Sequence, residues 1–342
     1  MKACSRVSIG VGLSTVMLAG LGGCRKESAE PTKGPGGARE IKAAGGVERK
    51  ISLVFLTNGP SDFWQIARAG VNKACRELGV EVDFQVPGQA TTAQQKQIIE
   101  AMIAKGAAGM AISPLDPESQ VEILNEAARY MPVVTQDSDA PKSNRIAYVG
   151  TDNVEAGRQA GRLIKEVLPN GGKIAVFVGK MDVANARERY QGILEVIKDA
   201  NISVIEGRPF TDETIRPKAQ ENVSAVLGKY PDVGCLVGLW SYNGPAILKV
   251  VRESKAKVPI VCFDEEAATL QGIREGLIQA TVVQQPFEFG YQSIKLLTQL
   301  IRGEKPNIPE SKLIYVPTMI IRKDGVDAFE KRLKDLMAQG KG

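Results

Sequence analysis

Short apolar or β-branched runs alternate with helical patterns along most of the chain. The runs at 51–56 (ISLVFL), 80–86, 109–113, 132–136, 145–150, 173–179, 202–207, 234–239, 258–263 and 280–284 predict strands. Between them the spacing predicts helices over 62–78, 92–105, 118–129, 153–167, 185–198, 214–228, 243–253 and 287–302. Apolar strands in such an alternation imply an α/β fold with parallel sheets covered by helices on both faces. Asp116-Pro117 adds a capping carboxylate ahead of a first-turn proline.

Two stretches echo each other. ISLVFLTNGPSDFWQIARAGV and KIAVFVGKMDVANARERYQGI each run strand, polar loop, helix, with Gly70 and Gly192 near the same offset. Tandem α/β lobes produce such an echo, and so does chance. Length points the same way: the 295 residues from Glu48 to Gly342 are too many for one small core, so two domains are expected.

The first 47 residues break the pattern. Lys2 and Arg6 precede an uncharged apolar stretch, Val7 to Leu21, and then Leu21-Gly22-Gly23-Cys24. This reads as a secretory signal over 1–24, too short and Gly-rich for a spanning helix. The Leu-small-small-Cys ending resembles the bacterial lipobox, which implies cleavage before Cys24 and its lipidation. Residues 25–47, polar and rich in Gly and Pro, are expected to form a flexible tether.

Charge and composition then exclude several chemistries. Leader and tether hold seven basic and three acidic residues, which is +4 of the chain's net +5. The body is close to neutral and makes no case for a nucleic-acid partner. The chain has no histidine, which removes His-based triads and the commonest zinc ligand. Cys75, Cys235 and Cys262 form no CxxC motif and fit no metal spacing, and no cofactor is implied. Cys235 and Cys262 fall in apolar strand-like runs, as buried thiols or as a disulfide between neighbouring strands.

In open α/β sheets ligands bind beyond the carboxyl ends of the strands. Those ends hold Phe63 and Trp64 after 51–56, Ser113 at 109–113, and Asp137-Ser138-Asp139 after 132–136. In the second half they hold Asn185 and Arg187, Trp240-Ser241-Tyr242-Asn243, Asp264-Glu265-Glu266 and Gln284-Gln285. The two tryptophans, Trp64 and Trp240, stand at such ends in different halves. Aromatics facing each other across a cleft suit a sugar, whose C–H faces meet the rings while carboxylates, guanidinium and amides take its hydroxyls. Each member has a plainer reading. A Phe-Trp pair is more often core than ligand platform, a lone Asp is often a cap, and Arg187 with Glu188 and Arg189 suits a solvated helix face.

The segments DFWQIARAG, TQDSDAP, YVGTDNVEAGRQAG, NARERYQG, KYPDV, VCFDE and ATVVQQP together resemble the ribose-binding-protein family of bacterial solute-binding proteins, across roughly residues 50–322. The resemblance implies two Rossmann-like lobes joined by a three-segment hinge near Thr151, Gln285 and Pro317. The lobes would be 48–151 plus 285–316, and 152–284 plus 317–342. It implies a monosaccharide site with Phe63 and Trp64 as one aromatic wall and Ser113 as a polar contact. Asp137 and Arg187 would hold hydroxyls from opposite lobes, and Trp240, Asp264 and Gln284 would complete the second lobe's share. Ser138 stands where the family often has an Arg, and Trp240 where it has an Asn, which turns the expectation away from ribose itself.

The expected function is binding without catalysis. A lipid-anchored receptor on the periplasmic face of a membrane would close on a monosaccharide and dock on an ABC permease driven by its ATPase. The alternative is a sensor for a sugar or furanosyl autoinducer coupled to a membrane receptor. A glycosidase built on Asp137 and Asp264 lacks any other evident acid–base group. A regulator of the lac-repressor type would need a helix-turn-helix where this chain has a secretion signal.

Overall fold

The computed structural model describes residues 50–340; the expected leader, Cys24 and tether lie outside the described residues. Along the chain run β1 (Ser52–Leu56), α1 (Phe63–Leu78), β2 (Glu81–Gln85), α2 (Thr92–Lys105), β3 (Gly109–Ile112), α3 (Val121–Tyr130), β4 (Val133–Gln136) and β5 (Ala147–Gly150). Beyond Thr151 follow α4 (Asn153–Val167), β6 (Gly172–Val178), α5 (Ala184–Ile197), β7 (Ile202–Val204), β8 (Phe210–Thr211) and α6 (Arg216–Lys229). Then come β9 (Val233–Gly238), α7 (Asn243–Ser254), β10 (Ile260–Phe263), α8 (Ala267–Glu275) and β11 (Ile278–Val283). The last elements are α9 (Pro286–Ile301), β12 (Leu313–Tyr315), β13 (Met319–Ile321) and α10 (Val326–Gln339).

The strands form two sheets. One has the order β2-β1-β3-β4-β5-β12, all parallel. The other has β7-β6-β9-β10-β11-β13, with the short β8 also on β6. Among the described residues only β13 is antiparallel to its neighbour. Each sheet has the 2-1-3-4-5 order, which puts a crevice at the carboxyl ends between its first and third strands.

Uninterrupted apolar strands follow from helices on both faces. Leu53 and Phe55 of β1 pack in one layer with Val134 and Phe289, while Val54 and Leu56 pack in the other with Ile99 and Leu124. The second sheet is covered likewise. The same geometry disposes of the cross-strand disulfide. Cys235 and Cys262 lie in different layers, on opposite faces of their sheet, and both are free thiols pushed up to about 12 by burial.

The chain passes between the sheets three times, at Thr151, at Gln284-Gln285 and at 316–318. The passages are tied together: Thr151 donates its hydroxyl to Gln284 Oε1 at 3.0 Å, and Gln285 Nε2 donates to the Pro317 carbonyl at 2.7 Å. Helix α10 adds a link. Arg274 pairs with Asp327 and Glu330 at its start, and Asn72 Nδ2 of α1 donates to the Gly340 carbonyl at its end. Asp116 departs from expectation: α3 starts only at Val121, and the carboxylate instead caps a preceding turn by accepting from the Glu118 and Ser119 amides.

Candidate functional site

Asp137 and Asp264 hold matching places in the two sheets. Each is the first residue beyond a central strand, β4 or β10, and each has positive φ, 60° and 65°. The left-handed turn is uncommon for a side-chain-bearing residue and is stabilised here by backbone bonds to Val149 and Val282. It ends the strand and leaves both carboxylates lining one cavity between the lobes.

Each carboxylate is braced. Asp137 Oδ2 accepts from Ser113 Oγ at 2.8 Å and Asn58 Nδ2 at 3.4 Å, and Asn58 Oδ1 accepts from Trp64 Nε1 at 3.2 Å. Asp264 accepts from Gln284 Nε2 at 3.1 Å. Burial raises the Asp137 carboxyl to about 6, against the Ser113 bond and the Arg189 charge, and the Asp264 charge adds to the rise. Asp264 is also raised, first by burial, with Arg189 opposing. Its neighbour Glu265 is pushed well above the carboxylate range by burial, and its Oε2 has no hydrogen-bond partner.

The guanidinium whose charge acts on both carboxylates belongs to Arg189. It is 1 % exposed, donates Nε to Asn153 and an amino group to the Leu239 carbonyl at 2.7 Å, and lies 4.6 Å from the Phe263 ring centre. Arg187, the sequence candidate, is exposed and turned back onto the Met181 and Asp182 carbonyls. Helix geometry separates them: Asn185 and Arg189 share a face at i, i+4, and Arg187 points away from it. Arg187 instead faces the other lobe's Asp116, whose carboxyl is lowered by the Ser119 bond and, to a smaller extent, by this charge.

The other candidates divide between wall and support. Trp64 is 2 % exposed and seated in the core against Phe55 while also lining the cavity; the half-buried Phe63 lies at 88° to it. The pair is therefore core and wall at once, and not one flat platform. Trp240 lines the opposite wall, donates Nε1 to Asn185 at 3.0 Å, and lies so close to Gly179 that a Cβ there would meet its ring at 2.1 Å. Gln284 lines the cavity, whereas Ser113 is fully buried behind Asp137.

Several lining residues were not singled out from sequence. Arg189 was passed over for Arg187, although its i, i+4 spacing from Asn185 was visible. Lys180 and Thr214 also line the cavity, as does Tyr242, which the sequence places at a strand end. Gln95 does not, but its buried amide donates to the Thr57 and Ser113 carbonyls and so fixes the ends of β1 and β3. Nothing in a polar helix position announced that. The lobes touch at Asn185, whose Nδ2 donates to Ser138 Oγ at 3.3 Å.

Comparison with known proteins adds the following. The family model described as periplasmic binding protein domain matches residues 51–305. The ribose import binding protein RbsB of Haemophilus influenzae is 28% identical over 269 residues, covering 78% of this chain and 90% of that protein. The crystal structure of GanP, a glucose-galactose binding protein from Geobacillus stearothermophilus, superposes with a TM-score of 0.76 at 29% identity, over 81% of this chain and 99% of that one. A solute-binding protein from Burkholderia graminis in complex with D-arabinose gives 0.77 at 27% identity, over 82% and 98%.

Proposed function

Because the chain belongs to the periplasmic binding protein domain family, we propose that it captures a sugar between its lobes and delivers it to an ABC permease. The observation that carries this is the convergence of Asp137 and Asp264, one from each sheet, on a single cavity that Arg189 also lines, its charge acting on both. Carboxylates accept from hydroxyls, a guanidinium donates to ring and hydroxyl oxygens, and Phe63 and Trp240 cover C–H faces. Relatives named for ribose, glucose and galactose, and a neighbour holding D-arabinose, support the class of ligand.

Asp137, Asp264, Arg189 and Gln284 would hold hydroxyls, with Trp64 in the wall. Ser113 would act through Asp137, and Arg187 through the rim. Ligand contacts from both lobes would favour the closed form, which the permease would recognise. A lipid at Cys24 and the tether would keep the receptor on the periplasmic face of its membrane. The site holds what binding needs, and no turnover is assigned to it.

The test is intrinsic fluorescence titrated with pentoses and hexoses, since both tryptophans of the chain line the cavity. A saturable change with one sugar, lost in Asp264→Ala, is expected. No response from folded protein to any sugar would overturn the reading. Fatty-acid labelling that survives in Cys24→Ala would overturn the anchor.

A further inference from the structure

Asp212 is fully buried just beyond β8 and does not itself line the cleft. Its carboxylate nevertheless takes three donors, and each of them leads to the cleft wall. Oδ1 accepts from the Tyr242 hydroxyl and from the Thr214 amide at 2.9 Å, and Oδ2 accepts from Asn243 Nδ2 at 3.1 Å. Tyr242 and Thr214 line the cleft directly. Asn243 is fully buried, and its Oδ1 accepts from the Trp240 amide at 3.0 Å. One carboxylate thus ties together two loops, 212–214 and 240–243.

Both loops need such a tie. Glu213 and Thr214 have positive φ, 56° and 64°, and for a β-branched residue that backbone is an outlier. It persists only where the surroundings over-determine it. Here the Asp212 side chain takes the Thr214 amide, and the Gly179 carbonyl takes the Glu213 amide at 2.9 Å. In the other loop, the Trp240 and Tyr242 rings stand 6.4 Å apart at 67°. They close over Gly179, where a Cβ would meet the Trp240 ring at 2.1 Å and the Tyr242 hydroxyl at 2.9 Å.

A cap for the start of α6 would need far less. An Asx turn is made by one side-chain oxygen accepting from the amide two residues on, which is the Thr214 bond alone. The Tyr242 and Asn243 bonds are additional, and both run to the aromatic wall. All three donors are neutral groups, so the carboxylate is buried against them at a desolvation cost that raises its pKa while the bonds oppose the rise.

Resting on the sugar reading above, we propose that Asp212 is a positioning residue for the ligand: without touching the sugar, it sets the Trp240–Tyr242 wall and the Thr214 turn that face it.

The test uses the full-length chain labelled with 5-fluorotryptophan. Its two tryptophans give two fluorine resonances, and Trp240→Phe identifies them. Asp212→Asn keeps the shape but turns one acceptor into a donor, which either way round faces the Thr214 amide or the Asn243 amide. The Trp240 resonance is expected to shift or broaden while that of Trp64 stays in place. Affinity for whichever of D-ribose, D-glucose, D-galactose and D-arabinose the unaltered protein binds is expected to fall about tenfold, as for one lost bond to a charged group. Tyr242→Phe removes a single donor. It should move the same resonance and weaken binding less, and it decides the matter if Asp212→Asn does not fold.

A Trp240 resonance that stays in place, or an unchanged sugar affinity, in the folded variant overturns the inference and leaves Asp212 as a cap of α6. A lowered melting temperature alone does the same. If the folded, unaltered protein binds none of these sugars, it is the sugar reading that fails, and the resonances alone then decide whether Asp212 sets the wall.

Discussion

Asn185 and Ser138 stand on different lobes, and the amide of the first donates to the hydroxyl of the second across 3.3 Å. Asn185 is held for this by its other side-chain atom, which accepts from Trp240 Nε1. One side chain thus joins the cavity wall to the opposing lobe, so that closing the cleft and positioning Trp240 are coupled.

Ser138→Ala separates the two roles. It removes the interlobe bond and leaves the Asn185–Trp240 bond in place. A buried hydrogen bond contributes about 0.5–1.5 kcal/mol, so sugar affinity should fall roughly two- to tenfold. Asn185→Ala removes both bonds and should cost more. Calorimetric titration of the two variants checks the order; equal affinities would show that the bond has no part in closure.

Arg189 and Arg187 are two residues apart on α5 and are expected to behave oppositely. Arg189→Ala leaves the Leu239 carbonyl without its donor and removes a positive charge that favours the ionised forms of both Asp137 and Asp264. Binding should drop by more than a hundredfold, and Arg189→Lys should not restore it, because the forked donors are lost. Arg187→Ala, at an exposed rim charge, should stay within about threefold. Affinities from fluorescence, with circular dichroism to confirm folding, decide it. A larger loss at Arg187 would place the ligand elsewhere.

The buried acids predict a pH dependence with a definite sign. The Asp137 carboxyl is raised from 3.8 to about 6 in the fold, so the folded protein holds a proton that the unfolded chain releases. Its stabilising effect is full below 3.8 and is lost as pH rises through about 6. The limit for this group is about 3 kcal/mol, at about 1.4 kcal/mol per unit. Asp264 and Glu265, also raised by burial, act in the same direction. Urea denaturation of the sugar-free protein at pH 5 and pH 7.5 should show lower stability at the higher pH, with a smaller difference in Asp137→Asn. The opposite slope would mean that the paired surface carboxylates dominate.

Helix α10 is fixed to the second lobe by Arg274 and to the first by the Asn72–Gly340 bond. Gly340 is seated against α1 so closely that a Cβ would meet the Ala69 Cα at 2.4 Å. Gly340→Val should detach the helix end from the first lobe. If that contact favours the closed form, sugar affinity falls about two- to fivefold with little change in the melting temperature. Unchanged affinity together with faster hydrogen exchange in the last turn of α10 would show a contact without influence on the cleft.

Much of the fold was legible because its signals are local. Apolar runs such as ISLVFL lie between helix layers, and α2 and α4 occupy the predicted 92–105 and 153–167. The edge strands β12 and β13 were not read: three residues each, they owe their conformation to the strand beside them. At the site, Asp137 and Asp264 were legible as polar residues ending apolar strands. Arg189 was not separated from Arg187, because the choice depends on which face of α5 turns toward the cleft. Gln95 was invisible for a similar reason: its role is set by two carbonyls distant in sequence.

Gly70 and Gly192, noticed in the sequence only as an echo, have equivalent physical causes. In the first lobe α1 crosses α9, and a Cβ on Gly70 would meet the Phe287 carbonyl at 1.9 Å; facing it, one on Gly290 would meet the Ala67 carbonyl at 2.2 Å. In the second, α5 crosses α4, and Gly192 and Gly157 would each meet a facing carbonyl at 2.1 Å. In both lobes the obstacle is backbone, so a methyl group can be accommodated only by moving a helix. Overpacking typically costs about 1–3 kcal/mol and occasionally more, and these positions should lie at or above the top of that range. Gly192→Ala carries a further consequence, since Arg189 supplies the backbone that α4 approaches at Gly157. Moving α5 away from α4 displaces the Arg189 guanidinium from the cavity that both carboxylates line. Gly192→Ala should therefore lower both stability and sugar affinity, while Gly70→Ala, whose helix carries Phe63 and Trp64 on its first turn, should lower stability more than affinity. Urea denaturation and fluorescence titration of the two variants measure both quantities, and equal affinity losses would mean that the crossings do not position the site separately.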